Sequence, residues 1–196
     1  MDELMTFETL LSIGLGLGLS AACGFRIFVP LLVVNLAARA GWVQLAGELS
    51  WMGDTPALWT FGAATLLEIG AYYVPWLDNF LDSVATPAAM ISGAVVTASV
   101  VTDVDPALKW VLAVIAGGGV AGVVQTATVG GRVLSSLTTA GLGNPLVATL
   151  ELISSFALSV VSVLAPLLAL IFVVILLLIV WWVRRRRRRL VSTPSS

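Results

Sequence analysis

Histidine is absent from this 196-residue sequence, and cysteine occurs once, at Cys23. The first absence removes the usual haem ligand, the commonest zinc ligand and the commonest general base. The second excludes an internal disulfide, a CxxC redox pair and a cysteine-rich metal site. Charge is scarce too: 11% of residues are charged against 59% hydrophobic, and the mean hydropathy is +1.04. A soluble domain of this length cannot hide so much apolar surface in one core, so lipid is the expected solvent. With no water to satisfy backbone amides, long apolar stretches have to be helices or a closed barrel, and the short alternating segments of a barrel are missing. The sequence therefore reads as an all-α polytopic membrane protein.

Runs of about 20 apolar residues predict about six transmembrane helices, roughly at 8–37, 57–75, 86–102, 107–130, 145–164 and 165–183. Gly41 to Pro56 reads as a loop, with Trp42, Trp51 and Trp59 suited to a membrane interface. Asp103-Val-Asp105-Pro106 and Gly141-Leu-Gly-Asn-Pro145 read as a helix stop with a new start and as a turn. Arg184 to Arg189 supply six of the ten basic residues, so the rest of the chain sets four basic residues against eleven carboxylates. That run abuts Trp181 and Trp182 and belongs on the cytoplasmic side of a bacterial inner membrane; six spans then place both termini in the cytoplasm. It is expected to anchor the last span and to attract anionic lipid by about 1 kcal/mol per basic residue. Lacking interleaved aromatics, it is a poor nucleic-acid tail. Leu10 to Ala22 resembles a signal-peptide core, but Asp2, Glu3 and Glu8 precede it with no basic residue, so a membrane span is expected there.

Ser20-Ala-Ala-Cys-Gly-Phe-Arg26 aligns with Thr126-Ala-Thr-Val-Gly-Gly-Arg132, and Ala64-Thr-Leu-Leu-Glu68 with Ala148-Thr-Leu-Glu151, in the same order. Three spans per half would make the halves an inverted-topology repeat, about 8–102 and 107–183, within a transmembrane domain 1–183 followed by an arginine-rich tail 184–196. Short matches of Ala, Thr, Leu and Gly also arise by chance in membrane helices.

An ionisable side chain at the bilayer centre costs roughly 2.5–3.5 kcal/mol on insertion scales, so the few charges inside the spans are where chemistry is sought. They are Arg26, Glu68 and Glu151, with Arg132 near a span end. Arg26 lies between Gly24 and Pro30; a proline deprives the carbonyl four residues earlier of its helical partner, so the first span is expected to break there. A broken helix near the midplane offers backbone groups to a substrate, whereas a plain kink with a paired arginine is the structural alternative. Glu68 and Glu151 either bind a cation or proton or form ion pairs with Arg26 or Arg132. Asp78 and Asp82, four apart, would share a helical face and draw cations to a pore mouth, or sit in a solvated loop. No serine has a histidine partner and no cluster has metal-ligand spacing, so neither an enzyme nor a cofactor or metal site is expected.

Ala21-Ala-Cys-Gly-Phe-Arg-Ile-Phe-Val-Pro-Leu-Leu32, together with Leu67-Glu-Ile-Gly-Ala-Tyr-Tyr-Val-Pro-Trp-Leu-Asp78 and Asp82, resembles the bacterial membrane family catalogued as domain of unknown function 4126. The resemblance runs over roughly residues 8 to 183, and its members more often carry an Asp-Lys pair where this chain has Tyr72 and Tyr73. It implies a membrane fold and no particular activity. The expected function is a transporter or channel for a small ion or solute, with its site at the repeat interface and a dimer as the assembly. The alternative is a non-transporting membrane protein that packs with a partner or binds lipid.

Overall fold

Five prolines open helices in this chain. The computed structural model describes residues 7–72, 75–102 and 104–191, the side chains of 75–83, 184 and 186–191 excepted. Among the described residues it is all helix: α1 Phe7–Cys23, α2 Phe28–Arg39, a 3-10 segment Gly47–Gly53, α3 Thr55–Ala71, α4 Pro75–Val100, α5 Pro106–Leu112, a π-helical turn Ala113–Gly118, α6 Gly119–Thr139, α7 Asn144–Leu164 and α8 Pro166–Val191. Pro56, Pro75, Pro106, Pro145 and Pro166 each occupy one of the first two positions of a helix, where the missing N–H has no intrahelical partner to lose. Asp105 caps α5 by accepting from the amides of Ala107 at 2.9 Å and Leu108 at 3.3 Å. α6 ends where Ala140 and Gly141 take positive φ, and the chain turns into α7.

The stretch 8–37, read as one span, holds two helices parted at residues 24–27, with Arg26 in the gap. Pro30 is the third residue of α2, within the first turn that needs no i−4 bond, so the proline is accommodated and the break falls upstream of it. The arginine run continues α8 as helix to Val191.

α1 runs through the middle of the bundle, against α4, α6, α7 and α8. Its glycines make that possible. A Cβ on Gly14 would stand 2.8 Å from the carbonyl oxygen of Pro166, and one on Gly18 would stand 2.7 Å from the Cβ of Ala169. Hydroxyls bind the helices to one another's backbones: Ser155 donates to the carbonyl of Ala22 at 2.9 Å, Thr97 to that of Gly16 at 3.1 Å, and Ser20 to that of Gly117. Such bonds hold membrane helices together where apolar burial provides no contrast with lipid. At one end, the amide of Ala46 donates to Ser99, Asn35 donates to Met52 at 2.6 Å, and Lys109 pairs with Glu48 of the 3-10 segment.

Three helices are long and apolar enough to cross a membrane among the described residues: Pro106–Thr139, Asn144–Leu164 and Pro166–Val183, the last with mean hydropathy 3.0. Phe7–Cys23, Phe28–Arg39 and Val84–Val100 are shorter apolar helices. Outward faces carry large apolar side chains such as Leu150, Ile153, Phe156, Ile171 and Ile175, the surface a lipid-embedded protein presents.

Candidate functional site

The break after α1 leaves a helix start that its own N-cap residue, Ile27, does not cap with a side chain. Ile27 and Phe28 begin α2 with free backbone amides, and a helix N-terminus left bare in an apolar setting is costly. Glu68, one helix away on α3, supplies the acceptors: Oε1 accepts from the Ile27 amide at 2.8 Å and Oε2 from the Phe28 amide at 3.1 Å. A carboxylate at the positive end of α2 also faces the favourable pole of the helix dipole. Both oxygens of Glu68 are thus engaged by the backbone.

Gly24 permits the same break to lie against α6, since a Cβ there would be 2.7 Å from the carbonyl oxygen of Ala121 and 2.5 Å from the Cβ of Val124. The side chain of Arg26 is thereby directed into the bundle, where it is 2% exposed. Its Nη2 donates to the carbonyl of Ala148 at 2.7 Å and lies 3.7 Å from Oε2 of Glu151. Arg132, on α6 and 3% exposed, grips Glu151 of α7 through two parallel contacts, Nε to Oε1 at 3.0 Å and Nη2 to Oε2. Arg26, Glu68, Arg132 and Glu151 come from different segments of the chain, and all four are buried.

At the hub is a residue that the sequence offered no charge to notice. Tyr72, immediately after α3 and buried, presents its ring to both guanidinium groups, 3.9 Å from the Cζ of Arg26 and 4.0 Å from that of Arg132. A desolvated guanidinium over an aromatic face is held by about 2 kcal/mol, which offsets part of the cost of burying two cations together. Its partner in the sequence pattern, Tyr73, lies outside the described residues. A cavity of about 330 Å³ adjoins the cluster, walled by Ile27, Phe28, Leu67, Val84, Glu68 and Tyr72.

Arg26 is not fully satisfied. Among the described residues, its Nε and Nη1 are buried without a hydrogen-bond partner, although Nη2 is bonded. Unmet donors on a buried cation cost several kcal/mol, so such a group is rare unless something else occupies it. The arrangement can therefore donate hydrogen bonds to an acceptor brought from outside, while the carboxylates are already used.

The structure brings Arg26, Glu68, Arg132 and Glu151 together as the sparse charges suggested, with Gly24 and Pro30 framing the break. Asp78 and Asp82 fall within α4, but their side chains lie outside the described residues. Arg26 sits in an interruption, whereas Arg132, its counterpart in the sequence alignment, sits in continuous helix. Glu68 meets backbone amides where Glu151 meets an arginine.

The family described as domain of unknown function (DUF4126) matches residues 13–186, nearly the whole chain. No curated protein and no solved structure matches it.

Proposed function

We propose, for a chain that belongs to the DUF4126 family, that it is a transporter or channel for a small ion or solute, with Arg26, Arg132, Glu151 and Tyr72 forming the site. One observation carries this reading: four ionisable side chains from separated segments are buried at one place, and one of them retains unmet donors. Each buried charge opposes insertion by a few kcal/mol, and a purely structural cluster would be expected to satisfy itself. The helices form six crossings of an inner membrane with both termini cytoplasmic, and the two halves are inverted repeats that meet at the cluster. The Arg184 to Arg189 extension of α8 rests against anionic lipid, and the protein works as a dimer.

A lipid-binding role is the second reading, favoured by the largely apolar cavity beside Glu68 and Tyr72. Reconstitution separates the two. Purified protein in sealed liposomes should pass at least one member of a panel of small cations, anions and neutral solutes, and Arg132→Gln should abolish that flux. Tightly held stoichiometric phospholipid with no flux across the whole panel would favour lipid binding.

A further inference from the structure

Buried donors with nothing to bind identify their ligand by elimination. We infer that Arg26 is the anchor for an oxyanion, a carboxylate or phosphate group, that reaches it past Tyr72. The inference rests on the reading of the cluster as a ligand site and adds the chemical class of what the site takes.

The polarity of the unmet groups decides the class. Nε and Nη1 of Arg26 are both donors on a cation, so their complement is an acceptor, and a negative one is favoured in a site from which water is excluded. A metal ion or an ammonium group would meet the wrong end of this side chain. Among the described residues, the two neighbouring carboxylates do not compete for those donors. Glu151 has both oxygens on Arg132, and its approach to Arg26 is to Nη2 at 3.7 Å; Glu68 has both oxygens on the amides of Ile27 and Phe28. The carbonyl of Ala148 also takes Nη2, so one nitrogen is fixed and two remain free.

Access follows from Tyr72. Its ring touches the guanidinium of Arg26 and also lines the 330 Å³ cavity, so it stands where the cavity meets the cation. Rotation of that side chain would join the two, placing the acid group on Arg26 and the rest of the molecule against Ile27 and Phe28. A soluble anion and a lipid head group share this chemistry.

The test uses the purified full-length chain. Inorganic phosphate and acetate are titrated against protein in neutral detergent by calorimetry. Separately, protein is placed in nanodiscs of phosphatidylcholine with or without phosphatidylglycerol, and bound lipid is counted by native mass spectrometry. The expected result is one equivalent of at least one of these, with Arg26→Lys, which keeps the charge and loses the two free donors, weakening it ten-fold or more. Arg39→Gln, at an exposed position, should leave it unchanged. Saturation by phosphate or acetate assigns a soluble anion; phosphatidylglycerol alone assigns a lipid. No saturable binding of any of the three, or equal affinity in folded Arg26→Lys, overturns the inference. Flux of cations with no anion binding would end the oxyanion and leave the transport reading standing. Stoichiometric anion binding with no flux would do the reverse.

Discussion

Replacing Glu68 by glutamine tests a role that the structure adds to those read from the sequence, the capping of the first amides of α2. If Glu68 were a free buried carboxylate awaiting a cation, neutralising it would relieve a burial cost and stabilise the fold. Its actual partners predict the opposite. The carboxylate accepts from two consecutive amides, at 2.8 and 3.1 Å, and glutamine has one acceptor oxygen and one NH2. One bond survives in neutral form, and the other amide faces a donor. A hydrogen bond to a charged group is worth about 1.5–3 kcal/mol, and a stranded buried N–H adds to the loss, so Glu68→Gln should cost roughly 2–4 kcal/mol. For a chain of this size that is a fall in Tm on the order of 5–15 °C. Thermal unfolding in detergent, followed by circular dichroism, reads it directly, with Glu8→Gln on the exposed start of α1 as the control expected to change little. An unchanged or raised Tm for Glu68→Gln would refute the capping role and return this residue to the list of ion-binding candidates.

Two further outcomes follow from the same packing. Gly24→Ala drives a methyl group into the Ala121 carbonyl and Val124 and should destabilise by about 1–3 kcal/mol, whereas Gly130→Ala, with open space at its Cβ, should be neutral or up to about 1 kcal/mol stabilising; chemical unfolding of the two variants side by side tests the contrast. The hydrogen bond from Lys109 holds the Glu48 carboxyl below its ordinary value of 4.5, so its contribution is complete above that value and disappears as pH falls through the lower folded value. The Tm difference between wild type and Glu48→Gln should therefore be present at neutral pH and vanish in acid, and a difference that persists there would contradict the pairing.

Helix starts at Pro106 and Pro145 were legible because a proline beside turn residues acts locally, whereas Pro30 and Pro87 lie inside helices and the start of α4 at Pro75 was read as falling near residue 86. The charged members of the cluster were legible for another local reason, since a charge inside an apolar run is conspicuous. Their partners were not. Arg132 and Glu151 are on different helices, and nothing in the spacing of either distinguishes a bidentate pair from two separate sites. Glu68 binds main-chain amides, which every residue carries, so no sequence pattern could name Ile27 and Phe28 as its targets. Tyr72 carries no charge and holds the arginines by the face of its ring, so a search for charges inside apolar runs passes over it. The π-helical turn Ala113–Gly118 had no cue beyond its glycines.

If small solutes reach the buried cluster from water, position 72 lies on their way. With the buried native thiol removed by Cys23→Ala, a cysteine placed at position 72 by Tyr72→Cys is exposed to a membrane-impermeant maleimide in sealed vesicles, applied outside or trapped within. Labelling from at least one aqueous side is expected. Absence of labelling from both sides, with full labelling after denaturation in detergent, would contradict it.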